Sequence, residues 1–142
     1  MNEPLSREMT DTLVAEALAA REHAVARYSG FAVGAALLAR DGRITRGANV
    51  ESASYGLTCC AERVALFKAL TEGARAFTAI AVVARHQGGV MPCGACRQLL
   101  AEYAPRAEVL VADASTPGSV RRFTVAELLP GAFGDFRDRE GS

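Results

Sequence analysis

The chain has 142 residues, half of them hydrophobic, and its 16 basic residues balance its 16 acidic ones. This length fits a single domain with a core of its own, and zero net charge argues against a nucleic acid or an acidic membrane as partner. No secretory signal pattern or membrane-length apolar run occurs, so four cysteines favour metal binding in a reducing cytoplasm over disulfides.

The first part of the chain predicts a helix. After a polar and frayed start up to about Met9, apolar residues recur at helical spacing from Thr10 onward. Thr10 or Thr12 would cap this helix, and residues 28–30 would end it. His23 falls within it and is interpreted as a packing or surface residue, because it has no chemical partner nearby in sequence.

A β-hairpin is predicted next. Residues 31–39 form an apolar run that is too short for most helices, and Asp41-Gly42 is a turn signal that returns the chain through residues 43–50. Gly34 and Gly47 lie inside these two strands, which indicates that another backbone approaches closely at each.

The rest of the chain alternates between helices and strands. β-branched residues mark a buried central strand, and a Thr-x-x-Glu capping box opens a last helical turn. The polar tail after Phe133 is expected to be mobile. The predicted segments are a helix ending at Gly73, a strand at 77–85, a helix after the second cysteine motif, a strand at 108–112, a turn at 113–119, an edge strand at 120–125 and a helical turn at 124–129.

Together these elements predict an α/β fold, with a mixed sheet of about five strands between helices in a three-layer α-β-α sandwich. Residues 1–142 would form one domain with an ordered core at about 10–133. The two helices that follow the cysteine motifs would lie side by side, with parallel neighbouring strands.

Two cysteine motifs, CCAER and PCGAC, each precede a helix-period apolar run. A helix N-terminus favours thiolate, the form of cysteine that binds metal. The spacing of Cys93 and Cys96 lets both sulfurs face one ion, and Cys60 is positioned to supply a third ligand. Three protein ligands leave one tetrahedral position of a zinc ion for water, as in catalytic zinc sites. Glu62 stands two residues past Cys60, close enough to reach that water without binding the metal.

Other interpretations of these cysteines remain open. Cys59 as a fourth ligand would make a closed structural zinc site, although adjacent residues rarely turn to one ion. The CxxC spacing also occurs in redox pairs, and a buried cysteine can be chemically inert. His86 is interpreted as a loop residue, since three thiolates already fill the protein side of the site.

The two motifs resemble those of the zinc-dependent cytidine deaminase family, in its small homotetrameric form. The resemblance covers most of the chain. It extends to the family's first strand at 31–37, its ribose-binding segment at 47–51 and its C-terminal signature at 128–133. It implies one Zn²⁺ per subunit, a homotetramer and a cytidine deaminase-like fold, whereas the absence of a nucleic-acid or membrane partner rests on the charge and the apolar pattern described above.

Specific roles follow from this resemblance. Phe31 and Ala61 would contact the substrate, with the Phe31 ring against the pyrimidine, and Arg63 would hydrogen-bond the ligand sulfurs. Phe133 would close the active site of a neighbouring subunit. The plainer alternatives are a core aromatic for Phe31, an exposed helical arginine for Arg63 and a hydrophobic anchor for Phe133.

The sugar site is predicted at Asn49 and Glu51. Two residues apart on a strand, their side chains point the same way, and an amide beside a carboxylate suits a ribose hydroxyl. The alternative is a solvated strand end. Ser52 stands where the family usually has a second asparagine, which bears on sugar specificity.

The predicted activity is hydrolytic deamination of cytidine and deoxycytidine to uridine and deoxyuridine, with Glu62 as the proton carrier, in pyrimidine salvage. Two alternatives stay open. One is a deaminase of a modified cytosine nucleoside or a blasticidin S-type aminopyrimidine, and the other is a non-catalytic zinc-binding module.

Overall fold

The computed structural model describes residues 4–133. They form five strands, four helices and one 3-10 turn at Tyr55–Leu57. The strands are β1 Val33–Ala39, β2 Ile44–Ala48, β3 Phe77–Ala84, β4 Glu108–Asp113 and β5 Thr116–Thr124. The helices are α1 Arg7–Arg21, α2 Ala61–Thr71, α3 Gly94–Tyr103 and the short α4 Val125–Leu128.

The five strands make one mixed sheet in the order β2-β1-β3-β4-β5. The β3–β4 pair is parallel, and the other three pairs are antiparallel. The predicted α/β fold with a mixed sheet of about five strands is therefore confirmed. The expectation for the tail after Phe133 lies outside the described residues, as do the first three residues of the polar start.

Helices cover both faces of the sheet. On one face α1 packs Leu13, Val14 and Ala17 against β1, β3 and β4. On the other, α2, α3 and α4 pack against the same sheet through residues such as Leu66 and Leu100. Many of the buried positions are alanines, which let helix and sheet approach closely. No helix among the described residues combines the length and the apolarity needed to cross a bilayer.

Two strand glycines set how closely the helices approach. A Cβ at Gly34 would lie 2.0 Å from the Ala17 carbonyl oxygen, so α1 rests directly on the β1 backbone. A Cβ at Gly47 would lie 2.5 Å from the Ala61 oxygen and 2.5 Å from the Ala65 nitrogen. Both predictions of close approach are confirmed, and the second fixes the first turn of α2 against β2.

The predicted limits of α1 were wrong at both ends. Ser6 caps the helix by accepting a 3.1 Å hydrogen bond from the Met9 amide, so the cap lies four residues before Thr10, the nearer of the two predicted caps. The helix ends at Arg21, so His23 lies in the turn that follows it. Beyond that turn, the backbone of Val25 pairs with the segment around Val50 and leaves helical geometry. This contact is distant in sequence, so helical periodicity alone does not reveal it.

Two further differences concern the sheet. β3 and β4 are parallel neighbours as predicted, whereas β2, the strand before α2, is separated from β3 by β1. The edge strand β5 begins at Thr116 instead of residue 120. The Asp113 carboxylate accepts a 2.9 Å hydrogen bond from the Ser115 amide, which tightens the turn and lets the strand start early.

Candidate active site

Three cysteine sulfurs converge at the N-terminal ends of α2 and α3. Cys60 is the N-cap residue of α2, Cys93 is the N-cap of α3, and Cys96 lies in the first turn of α3. The Cys93 Sγ is 3.7 Å from the Cys60 Sγ and 3.4 Å from the Cys96 Sγ. All three sulfurs lie within 4.8 Å of one another. The structure thus brings together the three residues that the sequence analysis chose as metal ligands.

A short backbone bridge places Cys60 at this point. The Val50 amide donates to the Cys59 carbonyl at 3.0 Å, and the Cys59 amide donates to the Val50 carbonyl at 2.9 Å. The loop between them is tied across by a 3.0 Å hydrogen bond from the Ser52 amide to the Thr58 hydroxyl. The closed loop therefore ends at Cys59, and the next residue, Cys60, lies at the start of α2.

Within the cluster, the thiols of Cys60 and Cys96 shift each other's pKa. The hydrogen bond with the Cys96 thiol, followed by one from Arg63, lowers the pKa of Cys60 to about 5, against the opposing effect of burial. The pKa of Cys96 is raised, first by its hydrogen bond with the Cys60 sulfur and then by burial. These two shifts favour a thiolate at Cys60 and a protonated thiol at Cys96. A bound cation would release the remaining protons.

Arg63 is the cation beside these sulfurs. One terminal guanidinium nitrogen donates to the Cys60 Sγ at 3.5 Å and to the Thr58 carbonyl at 3.4 Å. The bond to Cys60 raises the pKa of Arg63, which stays protonated. Its Nε is buried and is the one such side-chain atom without a hydrogen-bond partner among the described residues. The alternative of an exposed helical arginine does not describe this side chain.

Cys59 and His86 stand outside the cluster. The Cys59 sulfur is not part of the group of three converging sulfurs. Burial raises the pKa of the Cys59 thiol, which favours its neutral form. His86 lies in the loop after β3, with its Nδ1 3.1 Å from the Gln87 carbonyl oxygen. Among residues 4–133 the candidate metal group is therefore three cysteines and no fourth ligand.

Glu62 is a buried acid next to the sulfurs. It lies in the first turn of α2 with 5% of its surface exposed. Burial raises the pKa of its carboxyl to about 7, and the nearby Cys60 sulfur adds to that effect. A carboxyl group with a pKa near neutrality can both accept and return a proton under physiological conditions.

The donor set fits zinc. Tetrahedral zinc with thiolate bonds of about 2.3 Å requires sulfurs about 3.8 Å apart, close to the two separations of 3.7 and 3.4 Å seen here. Three protein donors, together with a buried acid outside the set, match a catalytic zinc site better than a closed structural one. Arg63 opposes the negative charge that three thiolates would create.

The predicted sugar-site residues are held by the first residue of β1 and the segment before it. Asn49 is 8% exposed; its Oδ1 accepts from the Val33 amide at 2.8 Å, and its Nδ2 donates to the Phe31 carbonyl at 2.9 Å. A solvated strand end is thus excluded for Asn49. Because one donor and one acceptor of the amide already bond to the protein, fewer of its hydrogen-bonding positions remain for a ligand than the sequence alone suggested.

Glu51 also faces this segment. Its carboxylate accepts hydrogen bonds from the amides of Tyr28 and Ser29 and from the Ser29 hydroxyl. The bond from the Ser29 side chain is the main reason why the pKa of Glu51 is lowered. The carboxylate is therefore ionised and fixed in place.

The remaining predicted contacts differ in exposure. Phe31 is half-buried beside Asn49, whereas Ala61 is fully buried. Phe133 is 79% exposed at the end of the described chain. Their contacts with substrate stay predictions.

Two contributors to the site escaped the sequence analysis. Ser29 was assigned only to the end of a helix, yet its side chain contacts Glu51. Arg97 donates from Nε to the Pro92 carbonyl at 2.7 Å and from a terminal nitrogen to the Leu128 carbonyl at 3.0 Å. It thereby joins the loop before Cys93 to the C-terminal segment. The sequence feature that could have identified Arg97 is its position directly after the second cysteine motif.

Comparison with known proteins places this site in a family. Residues 7–112, which include all three ligand cysteines and Glu62, match the family model for the cytidine and deoxycytidylate deaminase zinc-binding region. The chain belongs to the cytidine and deoxycytidylate deaminase family. Zinc is thus the metal for which Cys60, Cys93 and Cys96 are positioned.

Individual members of the family are similar over most of their length. A cytidine deaminase of Halalkalibacterium halodurans is 58% identical, covering 85% of this chain and 91% of that protein. A crystal structure of cytidine deaminase from Burkholderia pseudomallei superposes with a TM-score of 0.81 at 51% identity, over 86% of this chain and 97% of that one. A blasticidin-S deaminase of Bacillus cereus is 34% identical, over 69% of this chain and 74% of that protein.

Proposed function

We propose that this chain hydrolyses the exocyclic amine of cytidine and deoxycytidine, giving uridine or deoxyuridine and ammonia in pyrimidine salvage. The observation that carries this proposal is the triangle of three cysteine sulfurs with the buried acid Glu62 beside it. High identity to a cytidine deaminase over 91% of that relative's length supports the same substrate class.

The chain's own groups supply proton transfer and positioning. Zinc, when bound to Cys60, Cys93 and Cys96, supplies the Lewis acidity that makes water a nucleophile near neutral pH. Glu62 accepts a proton from the attacking water and passes it to N3 of the cytosine; it then takes the second proton from the hydroxyl added at C4 and delivers it to the amine, which leaves as ammonia. Its burial favours this role, because the carboxyl is not held ionised by solvent.

Substrate contacts are assigned to the segment around β1 and β2. The Phe31 ring lies against the pyrimidine, and Ala61 is assigned a contact with the substrate. Asn49 and Glu51 receive the sugar. Asn49 also orders the backbone of Phe31 and Val33, so it shapes the site in addition to any direct contact.

Assembly into a homotetramer belongs to the same proposal, with Phe133 completing a neighbour's site. Large apolar side chains stand exposed in the single chain: Tyr55 is 80% exposed, Leu57 74% and Phe133 79%. Association would bury such surface. We place the enzyme in the cytoplasm, where its four free thiols would stay reduced.

A spectrophotometric assay of the purified zinc-loaded chain tests the proposal. Cytidine and deoxycytidine should both be converted with release of one ammonia per nucleoside. Free cytosine, which lacks a sugar, should be a very poor substrate because remote binding positions the reacting carbon. A zinc-loaded chain that leaves both nucleosides unchanged would refute the proposal.

A second candidate is the deamination of a blasticidin S-type aminopyrimidine. The similarity to a blasticidin-S deaminase favours it, and Ser52 alters a sugar-site position. The same assay separates the two candidates. Turnover of blasticidin S well above that of cytidine would favour the antibiotic, and the reverse order would support the nucleoside.

A further inference from the structure

The two oxygens of the Glu51 carboxylate accept different numbers of hydrogen bonds from the protein. Its Oε1 accepts two backbone hydrogen bonds, from the Tyr28 amide at 2.9 Å and the Ser29 amide at 3.0 Å. Its Oε2 accepts one, from the Ser29 hydroxyl. A carboxylate oxygen offers about two acceptor positions, so Oε1 is saturated and Oε2 has one position left. Oε2 is therefore the atom of Glu51 that can accept a ligand hydroxyl.

The Ser29 hydroxyl is committed on both sides. It donates its hydrogen to Glu51 Oε2 and accepts a 2.9 Å hydrogen bond from the Phe31 amide. A hydroxyl has one hydrogen to donate, and in Ser29 that hydrogen is bound to Oε2 while the oxygen accepts from the Phe31 amide. Ser29 thus links Glu51 to Phe31, which are the proposed contacts for the sugar and the pyrimidine.

Open space lies against these groups. A cavity of about 320 Å³ borders the carboxylate and the serine, which is within the usual range for a small-molecule site. Its lining is mostly hydroxyl-bearing, as suits a sugar. The lining residues are Tyr28, Ser29, Glu51, Ser52, Tyr55 and Thr58.

We propose that Ser29 is a positioning residue for the sugar of the substrate: its hydroxyl orients Glu51 so that Oε2 accepts a hydrogen bond from a ribose hydroxyl. This role rests on the proposed nucleoside deaminase function. Without the serine hydroxyl, the carboxylate keeps its two backbone bonds on Oε1 but can rotate about them. A sugar hydroxyl then meets a less ordered acceptor.

The test compares cytidine with 2′,3′-dideoxycytidine, which has no hydroxyl at either ring position. In Ser29→Ala, kcat/KM for cytidine should fall roughly tenfold, mainly through KM, as for the loss of one hydrogen bond to a charged group. The value for the dideoxy substrate should stay within about twofold, because it makes no bond to Oε2 that the variant could lose. The preference for cytidine over the dideoxy substrate should therefore fall, and Glu51→Ala, which removes the whole carboxylate, should lower it further.

Matched variants separate positioning from general damage. Ser29→Thr keeps the hydroxyl and should retain most of the preference for cytidine. Ser119→Ala removes an exposed serine on β5, at the sheet edge far from β1 and β2, and should behave as wild type. Zinc content should be unchanged in all of these variants. If Ser29→Ala is too unstable to assay, Ser29→Cys keeps the side-chain shape with a poorer donor and should again lower the preference.

Two results would overturn the role of Ser29. Equal losses on both substrates would show that the serine only stabilises the turn, and an unchanged preference would show that it does not act on Glu51. A wild-type chain that deaminates neither nucleoside would refute the proposed function and this role with it. Wild-type activity with no change of preference in Ser29→Ala refutes this role alone.

Discussion

The four cysteines of the chain are chemically unequal, and their neighbours set the difference. Cys60 faces two other sulfurs and a guanidinium, which lower the pKa of its thiol to about 5. Cys59, one residue earlier, lies outside the cluster, and burial raises the pKa of its thiol. Adjacent residues thus differ in their capacity to bind metal because the N-cap geometry turns only one of them towards α3.

Removal of single cysteines tests this difference. Replacement of Cys60, Cys93 or Cys96 by Ala should reduce bound zinc from about one per chain to a small fraction, because two thiolates do not hold catalytic zinc tightly. Cys59→Ala is the matched control and should keep full zinc content. Metal analysis after dialysis measures both. A requirement for Cys59 would show that the ligand assignment is wrong.

At the level of elements, the position of α2 depends on a glycine in a neighbouring strand. Gly47 allows the first turn of the helix to rest on β2, and this turn carries Glu62, two residues after the ligand Cys60. An added methyl group would meet backbone atoms, which cannot rotate away as a side chain would. The helix would have to shift, and the metal ligand would shift with it.

Gly47→Ala should therefore lower the free energy of unfolding by about 1–3 kcal/mol, as overpacking does. It should also weaken zinc binding. Gly118→Ala on β5 is the control: an added Cβ there meets nothing within 4 Å, so stability should change by only about 0.5 kcal/mol. Thermal unfolding of both variants measures the effect. Equal stability of the two variants would contradict the packing argument.

Local patterns predicted most elements, and the exceptions depend on contacts far apart in sequence. Asp41-Gly42 and the apolar runs beside it were sufficient to predict the hairpin. The end of α1 was not predictable in this way, because it depends on Val25 pairing near Val50.

The candidate site shows the same difference between features that local sequence patterns predict and features that depend on distant contacts. The cysteine spacing indicated the metal ligands, since that signal is local. The bonds from the Asn49 amide to residues 31 and 33 and from Ser29 to Glu51 join segments about 20 residues apart, and no local pattern marks them.

For the whole molecule, we predict a homotetramer of about 60 kDa, from four chains of 14.9 kDa. Light scattering coupled to size exclusion measures this mass. Phe133→Ala should raise KM for cytidine and leave zinc content unchanged, because the ring would complete a neighbouring site and not the metal centre. A monomer with full activity would contradict both parts of the prediction.

The most direct test of the account is turnover of cytidine by Glu62→Gln with zinc content measured on the same sample. The amide has the shape of the acid but cannot carry the proton, so turnover should fall by roughly 10²–10⁴-fold while zinc stays at about one per chain. Glu72→Gln, at an exposed residue that caps the other end of α2, should leave both values unchanged. Near-normal turnover by zinc-loaded Glu62→Gln would contradict the account.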